Sequence, residues 1–211
     1  MHFDQKKLNR YCEEMSTKPD AVLKELERET NLKTMAPQML TGQTQGLLLQ
    51  FIAQIIRPQT ILEIGTFTGY AAICMAKGLA ENGKLHTIEV NPERATIIKK
   101  YIAKADLENK VIPHIGNAKD IIPTILGLFD LVYIDAAKFD YQAYYDLVVD
   151  RMTSGGMIIV DNVLWGGKIV GGHTDKDTKV LLDFNKMVEE DDRVENVILP
   201  IRDGITLIRR K

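Results

Sequence analysis

Five short apolar runs, separated by stretches whose apolar residues recur at helical spacing, constrain this chain more than any other feature. The runs fall at Thr60–Ile64, Lys84–Glu89, Lys110–His114, Phe129–Ile134 and Gly156–Val160. Helical stretches such as Pro92–Ala105 and Tyr141–Arg151 lie between them. A strand returning parallel to its neighbour needs a crossover, normally a helix. The alternation therefore predicts an α/β chain with a doubly wound, mostly parallel sheet. The tail breaks the pattern. Val194–Pro200 and Gly204–Arg209 are strand-like runs joined through Arg202-Asp203-Gly204, the signal of an antiparallel hairpin. Together these predict a seven-stranded sheet.

Upstream of the first run, the chain from Asp4 to about Glu29 carries Leu8, Tyr11 and Met15, then Val22, Leu23 and Leu26, at helical intervals. Two helices are expected there, the second opened by Pro19. A third, from about Thr44 to Ile56, is stopped by Pro58. No repeat, low-complexity tract or linker interrupts the 211 residues. The expectation is one domain over 1–211, with N-terminal helices at 1–57 and the α/β core at 58–211.

Composition narrows the class. With 45% hydrophobic and 27% charged residues, the chain can bury a sizeable core. Its 27 basic and 29 acidic side chains give a net charge of −2, without the positive field that nucleic acid requires. Arg209-Arg210-Lys211 reads as a solvated terminus. Cys12 and Cys74 form no CxxC and no Cys/His cluster, which argues for reduced thiols over a disulfide framework or zinc site. The opening Met1-His2-Phe3-Asp4 shows no signal-peptide pattern, and no stretch approaches the roughly 20 apolar residues of a membrane span. A cytoplasmic protein is expected.

Ligands in open α/β sheets sit at the carboxyl ends of the strands. Here Ile61-Leu62-Glu63-Ile64 runs into Gly65-Thr66-Phe67-Thr68-Gly69-Tyr70, a Glu-x-Gly-x-x-x-Gly turn lacking the dinucleotide fingerprint. Glu63 would repel a pyrophosphate but suits the cationic amino-acid end of S-adenosylmethionine (SAM). Glu89, at the second tip, can accept both hydroxyls of a ribose, a signal common to nicotinamide and SAM sites. Gly116-Asn117-Ala118 follows the third strand, where it could border an adenine or simply begin a helix.

The fourth and fifth tips carry the chemistry. Leu131–Ile134 delivers Asp135, and Met157–Val160 delivers Asp161 and Asn162. Two carboxylates and an amide on adjacent tips are hard oxygen ligands suited to magnesium, manganese or calcium, although acidic residues also cap strands and helices. Lys138, one turn past Asp135, is either a general base or a solvated lysine. Trp165, the only tryptophan, lies in a glycine-bearing loop and either stacks on a flat substrate or packs in the core. His86 and His114 read as structural.

Taken in order and spacing, these segments resemble the cation-dependent O-methyltransferases, the group of caffeoyl-CoA and catechol O-methyltransferases, from about Met35 to Arg210. The matching segments are Met39-Leu40-Thr41, Glu63 to Tyr70, Ile88-Glu89, Gly116-Asn117-Ala118, Ile134 to Lys138, Asp161 to Trp165 and Asp203-Gly204-Ile205. The resemblance implies a Rossmann-like SAM-methyltransferase fold and a cytoplasmic homodimer acting on a small phenolic substrate. It implies that Thr41, Glu63, Gly65, Thr66, Ala71, Glu89, Ala118 and Asp135 surround SAM. It further implies that Asp135, Asp161 and Asn162 hold a divalent cation, that Lys138 is the base, and that Trp165 meets the acceptor. The chain departs from many caffeoyl-CoA enzymes with Ala137 in place of Asp. The N-terminal segment and the Gly166–Thr174 loop are where the acceptor would be chosen.

Two other readings compete. A nicotinamide-dependent oxidoreductase fits Glu89 but not the glycine turn or the terminal hairpin. A non-catalytic SAM sensor fits the cofactor end but leaves Asp161, Asn162 and Lys138 without a purpose. No Asn-Pro-Pro-Tyr motif follows the fourth strand, which disfavours methylation of a base amine.

Overall fold

The structure, a computed structural model, describes residues 4–173 and 175–211, without the side chains of residues 5 and 6. Met1–Phe3 and Thr174, both used in the sequence reading, lie outside the described residues. Seven strands form one sheet: β1 (Thr60–Ile64), β2 (Lys84–Glu89), β3 (Val111–Ile115), β4 (Phe129–Ile134), β5 (Met152–Asp161), β6 (Val194–Leu199) and β7 (Ile205–Arg210). Their order is β3-β2-β1-β4-β5-β7-β6. The first five pair in parallel, whereas β7 runs antiparallel to both β5 and β6. The expected doubly wound sheet with a terminal hairpin is present.

Successive side chains on a strand face opposite ways, and the central strands use this to build two cores. Ile61, Leu131 and Ile159 point to one face, where α2 (Ala21–Lys33), α3 (Gly42–Ile56), α4 (Tyr70–Ala76) and α5 (Ala95–Lys104) cover them. Leu62, Val132 and Ile158 point to the other, beneath α6 (Ala118–Ile121), α7 (Tyr141–Val148) and α8 (Lys176–Glu189). Near-continuous apolar runs are what a parallel sheet covered on both faces requires. All seven residues of α4 are buried. Leu23, Leu26, Leu49 and Ala53 from the N-terminal helices belong to the first core, while α1 (Gln5–Met15) leaves Tyr11 and Met15 exposed.

Several boundaries differ from the sequence reading. Asp20, rather than Pro19, starts α2: its carboxylate accepts from the Leu23 amide at 2.9 Å, and Pro19 stands outside the helix. The strand β5 begins at Met152 rather than Gly156. The β4–β5 register jumps between Phe129↔Met152 and Leu131↔Met157, so a bulge interrupts the apolar pattern. The terminal basic residues are engaged, with Arg209 paired to Glu195 and Arg210 to Asp150. His86 Nδ1 and His114 Nε2 lie 3.0 Å apart on β2 and β3. No helix among the described residues is long and apolar enough to cross a membrane.

Candidate active site

The strand order reverses between β1 and β4, and the tips there frame a cavity of about 680 Å³. The tips are stitched together by backbone bonds. Gly65 and Thr66 donate to the Ile88 carbonyl at 3.0 and 3.2 Å, and Asp135 donates to that of Ile64 at 2.9 Å. Gly65 has φ +103°, and a Cβ on it would sit 2.0 Å from the Asp135 carbonyl oxygen. Only glycine allows this approach.

On the cofactor side, Glu89 is buried and its carboxylate is held by two backbone amides, Phe67 at 2.7 Å and Asn91 at 2.9 Å. The Arg94 guanidinium stacks 4.0 Å from the centroid of the Phe67 ring, and its Nη1 is buried without a partner. Glu63 is fully buried. Its Oε2 accepts from Thr87, whose hydroxyl also meets that of Thr66, while its Oε1 has no partner. Burial pushes the Glu63 carboxyl up to about 8, with the charges of Asp135 and Glu89 adding to the shift.

On the chemistry side, the β4–β5 register pairs Ile134 with Val160, so Asp135 and Asp161 leave neighbouring strands side by side. Lys138 Nζ donates to Asn162 Oδ1 at 2.6 Å, to Asp135 Oδ1 at 3.3 Å and to the Ala136 carbonyl at 3.2 Å. Asp135 is raised to about 6 by burial and by the charge of Asp161, against the pull of Lys138. Asp161 is 3% exposed. Its Oδ1 accepts from the Asn162 amide at 2.7 Å, and its Oδ2 from Gln45 at 2.7 Å and the Tyr133 hydroxyl at 3.2 Å.

The fold gathers most of the residues named from sequence. Thr41, Gly65, Thr66, Glu89, Ala118, Asp135, Lys138, Asp161, Asn162 and Trp165 all line the cavity. Glu63 and Ala71 do not; both are buried, and Glu63 reaches the wall only through Thr87 and Thr66. Trp165 is half-buried and packs against the second core, as its core alternative expected, and it also borders the cavity. Sequence reasoning missed Gln45, Arg94, Arg202 and Asp203. The last two sit on the hairpin turn between β6 and β7, and both line the cavity. Arg202 donates to Gln45 Oε1 at 2.9 Å, and Asp203 accepts from the backbone amide of Gly166.

Residues 13–211 match a family described as O-methyltransferase. The chain belongs to this O-methyltransferase family. It is 32% identical over 201 residues to caffeoyl-CoA O-methyltransferase 2 of Populus trichocarpa, covering 89% of this chain and 81% of that protein. It is 34% identical over 168 residues to a catechol O-methyltransferase of Niastella koreensis, covering 77% and 76%. Among solved structures, it resembles the O-methyltransferase of Streptomyces achromogenes involved in tomaymycin synthesis, in complex with SAM. That match has a TM-score of 0.91 and 28% identity, and covers 100% of both chains. The sheet with its antiparallel end is therefore an O-methyltransferase sheet rather than a dinucleotide-dehydrogenase one.

Among the described residues, no group of three or more His, Cys, Asp and Glu gathers as metal ligands. The candidate set is two carboxylates and one amide. These are oxygen donors, and a positive group, Lys138 Nζ, already bridges Asp135 and Asn162. The donor set fits a hard divalent cation.

Proposed function

We propose that this O-methyltransferase transfers the methyl group of SAM to one hydroxyl of a catechol-like small molecule, free or CoA-linked, with a divalent cation. The observation that carries this reading is the convergence of Asp135, Asp161, Asn162 and Lys138 on the cavity that also holds Glu89 and the glycine turn.

Asp135, Asp161 and Asn162 would hold the cation, with magnesium the first choice and manganese or calcium alternatives. Bound there, it would chelate vicinal oxygens and ease ionisation of the one to be methylated. Glu89 accepts the ribose hydroxyls of SAM; Thr41, Gly65, Thr66, Ala118 and Asp135 border the rest, with Glu63 and Ala71 behind them. Lys138, as its neutral amine, takes the hydroxyl proton as the methyl leaves sulfur for oxygen. Trp165 stacks on the acceptor ring and keeps it in line.

A homodimer belongs to the same reading. Tyr11 and Met15 on α1, with Phe51 and Ile55 on α3, offer it exposed apolar side chains. The unpaired thiols of Cys12 and Cys74 fit a cytoplasmic location.

Calorimetric titration tests the proposal. SAM binds with or without magnesium, and a 3,4-dihydroxyphenyl acceptor binds only with it. Absence of SAM binding under both conditions would refute the reading.

A further inference from the structure

We infer that Arg202, on the turn between β6 and β7, is a positioning residue for Asp161 and acts through the side-chain amide of Gln45. The metal-ligand role of Asp161 rests on the reading above; the relay itself does not.

Arginine can only donate hydrogen bonds. Arg202 Nη1 donates to Gln45 Oε1 at 2.9 Å, which fixes the amide with its oxygen toward the guanidinium. The Nε2 group must then face the other way. There it donates to Asp161 Oδ2 at 2.7 Å and to the Tyr133 hydroxyl at 2.8 Å. With its oxygen occupied as an acceptor, Tyr133 donates its own proton to the same Asp161 oxygen at 3.2 Å.

Gln45, Tyr133 and Asp161 are all buried. A flipped Gln45 amide would set N–H groups against a guanidinium and an oxygen against a carboxylate, a mismatch that burial makes costly. Arg202 thus selects one of two amide orientations, and that orientation aims two donors at one oxygen of Asp161.

The arginine is itself held. It also donates to the carbonyl oxygens of Thr41 and, at 3.3 Å, Leu40. Its backbone stands at φ +51°, in the left-handed region that disfavours side-chain-bearing residues. The hairpin turn therefore presents a fixed guanidinium to the mouth of α3, and α3 passes its orientation to the tip of β5.

The test follows the Gln45 side-chain amide by ¹⁵N NMR, assigned by its disappearance in Gln45→Leu, alongside binding of Mn²⁺. Arg202→Leu should speed exchange of that amide with water by about tenfold or more. It should also weaken Mn²⁺ binding by about 10- to 100-fold. The Arg202→Leu/Gln45→Leu double variant should bind Mn²⁺ no worse than Gln45→Leu alone, because the two act in series. Arg202→Lys keeps a donor and should keep the amide protected. Unchanged amide exchange in Arg202→Leu would overturn the relay, as would additive losses in the double variant. Equal loss of protection in Arg202→Lys and Arg202→Leu would also overturn it, because the amide would then follow packing of the turn. If the wild-type protein bound no Mn²⁺ while Arg202→Leu still freed the amide, the relay would stand and the metal reading would fall.

Discussion

Lys138 Nζ lies 2.6 Å from Asn162 Oδ1, joining the segment after β4 to the first residue beyond β5. Asn162 adopts φ 59°, a left-handed conformation that asparagine tolerates better than most residues. The turn brings its amide oxygen to Lys138 while its backbone N–H caps the adjoining Asp161 carboxylate. One lysine thus touches both strand tips that carry the proposed ligands.

Lys138→Ala should lower kcat by about 10²-fold or more, the range of a lost general base. Affinity for S-adenosylhomocysteine should remain within about threefold, because the proposed role of Lys138 is proton transfer from the acceptor and not cofactor binding. Steady-state kinetics and calorimetry check the split; a normal kcat would return Lys138 to a structural role.

Glu89→Gln should weaken S-adenosylhomocysteine by about 10- to 100-fold, as expected when a charged acceptor is lost, and leave Mn²⁺ binding unchanged. Two backbone amides hold this carboxylate in place, so its position depends little on the ligand. Unaltered cofactor affinity would move the ribose elsewhere.

Gly65→Ala should destabilise the fold by about 4 kcal/mol. The new Cβ would collide with the Asp135 carbonyl oxygen at 2.0 Å, and that oxygen is backbone that cannot rotate away. Chemical denaturation measures the loss. A wild-type midpoint would show that the β1 and β4 tips separate more easily than their hydrogen bonds imply.

Glu63 makes stability depend on pH in a defined direction. Its carboxyl is raised from 4.5 to about 8 in the folded chain. Between those values the folded state keeps a proton that the unfolded state has released, so stability falls as pH rises. Asp135, raised from 3.8 to about 6, adds the same sign over a lower window. Glu63→Gln should flatten the decline in Tm between about pH 6 and 8, where Asp135 no longer contributes. Parallel Tm profiles for the two proteins would show that Glu63 ionises normally.

What was legible in the sequence was local. Short apolar strand runs, the turn after Ile64 and the acidic tips at Asp135 and Asp161 are each set by neighbours in the chain, and the parallel topology then brings them to one edge. Two of the missed residues, Gln45 and Arg202, depend on distant partners. Gln45 meets Asp161 across 116 residues and Arg202 meets Gln45 across 157, so neither leaves a local signal. The bulge before Met157 hid the start of β5 for a related reason, since only pairing with β4 reveals it. Trp165 was ambiguous because it both borders the cavity and packs against the second core.

The most direct measurement is methyl transfer from SAM to a 3,4-dihydroxyphenyl acceptor, assayed in the purified protein before and after EDTA and again after excess Mg²⁺. The account predicts that the chelator abolishes turnover and that Mg²⁺ restores it, with Asp161→Ala inactive throughout. Undiminished turnover in the metal-free protein would contradict it.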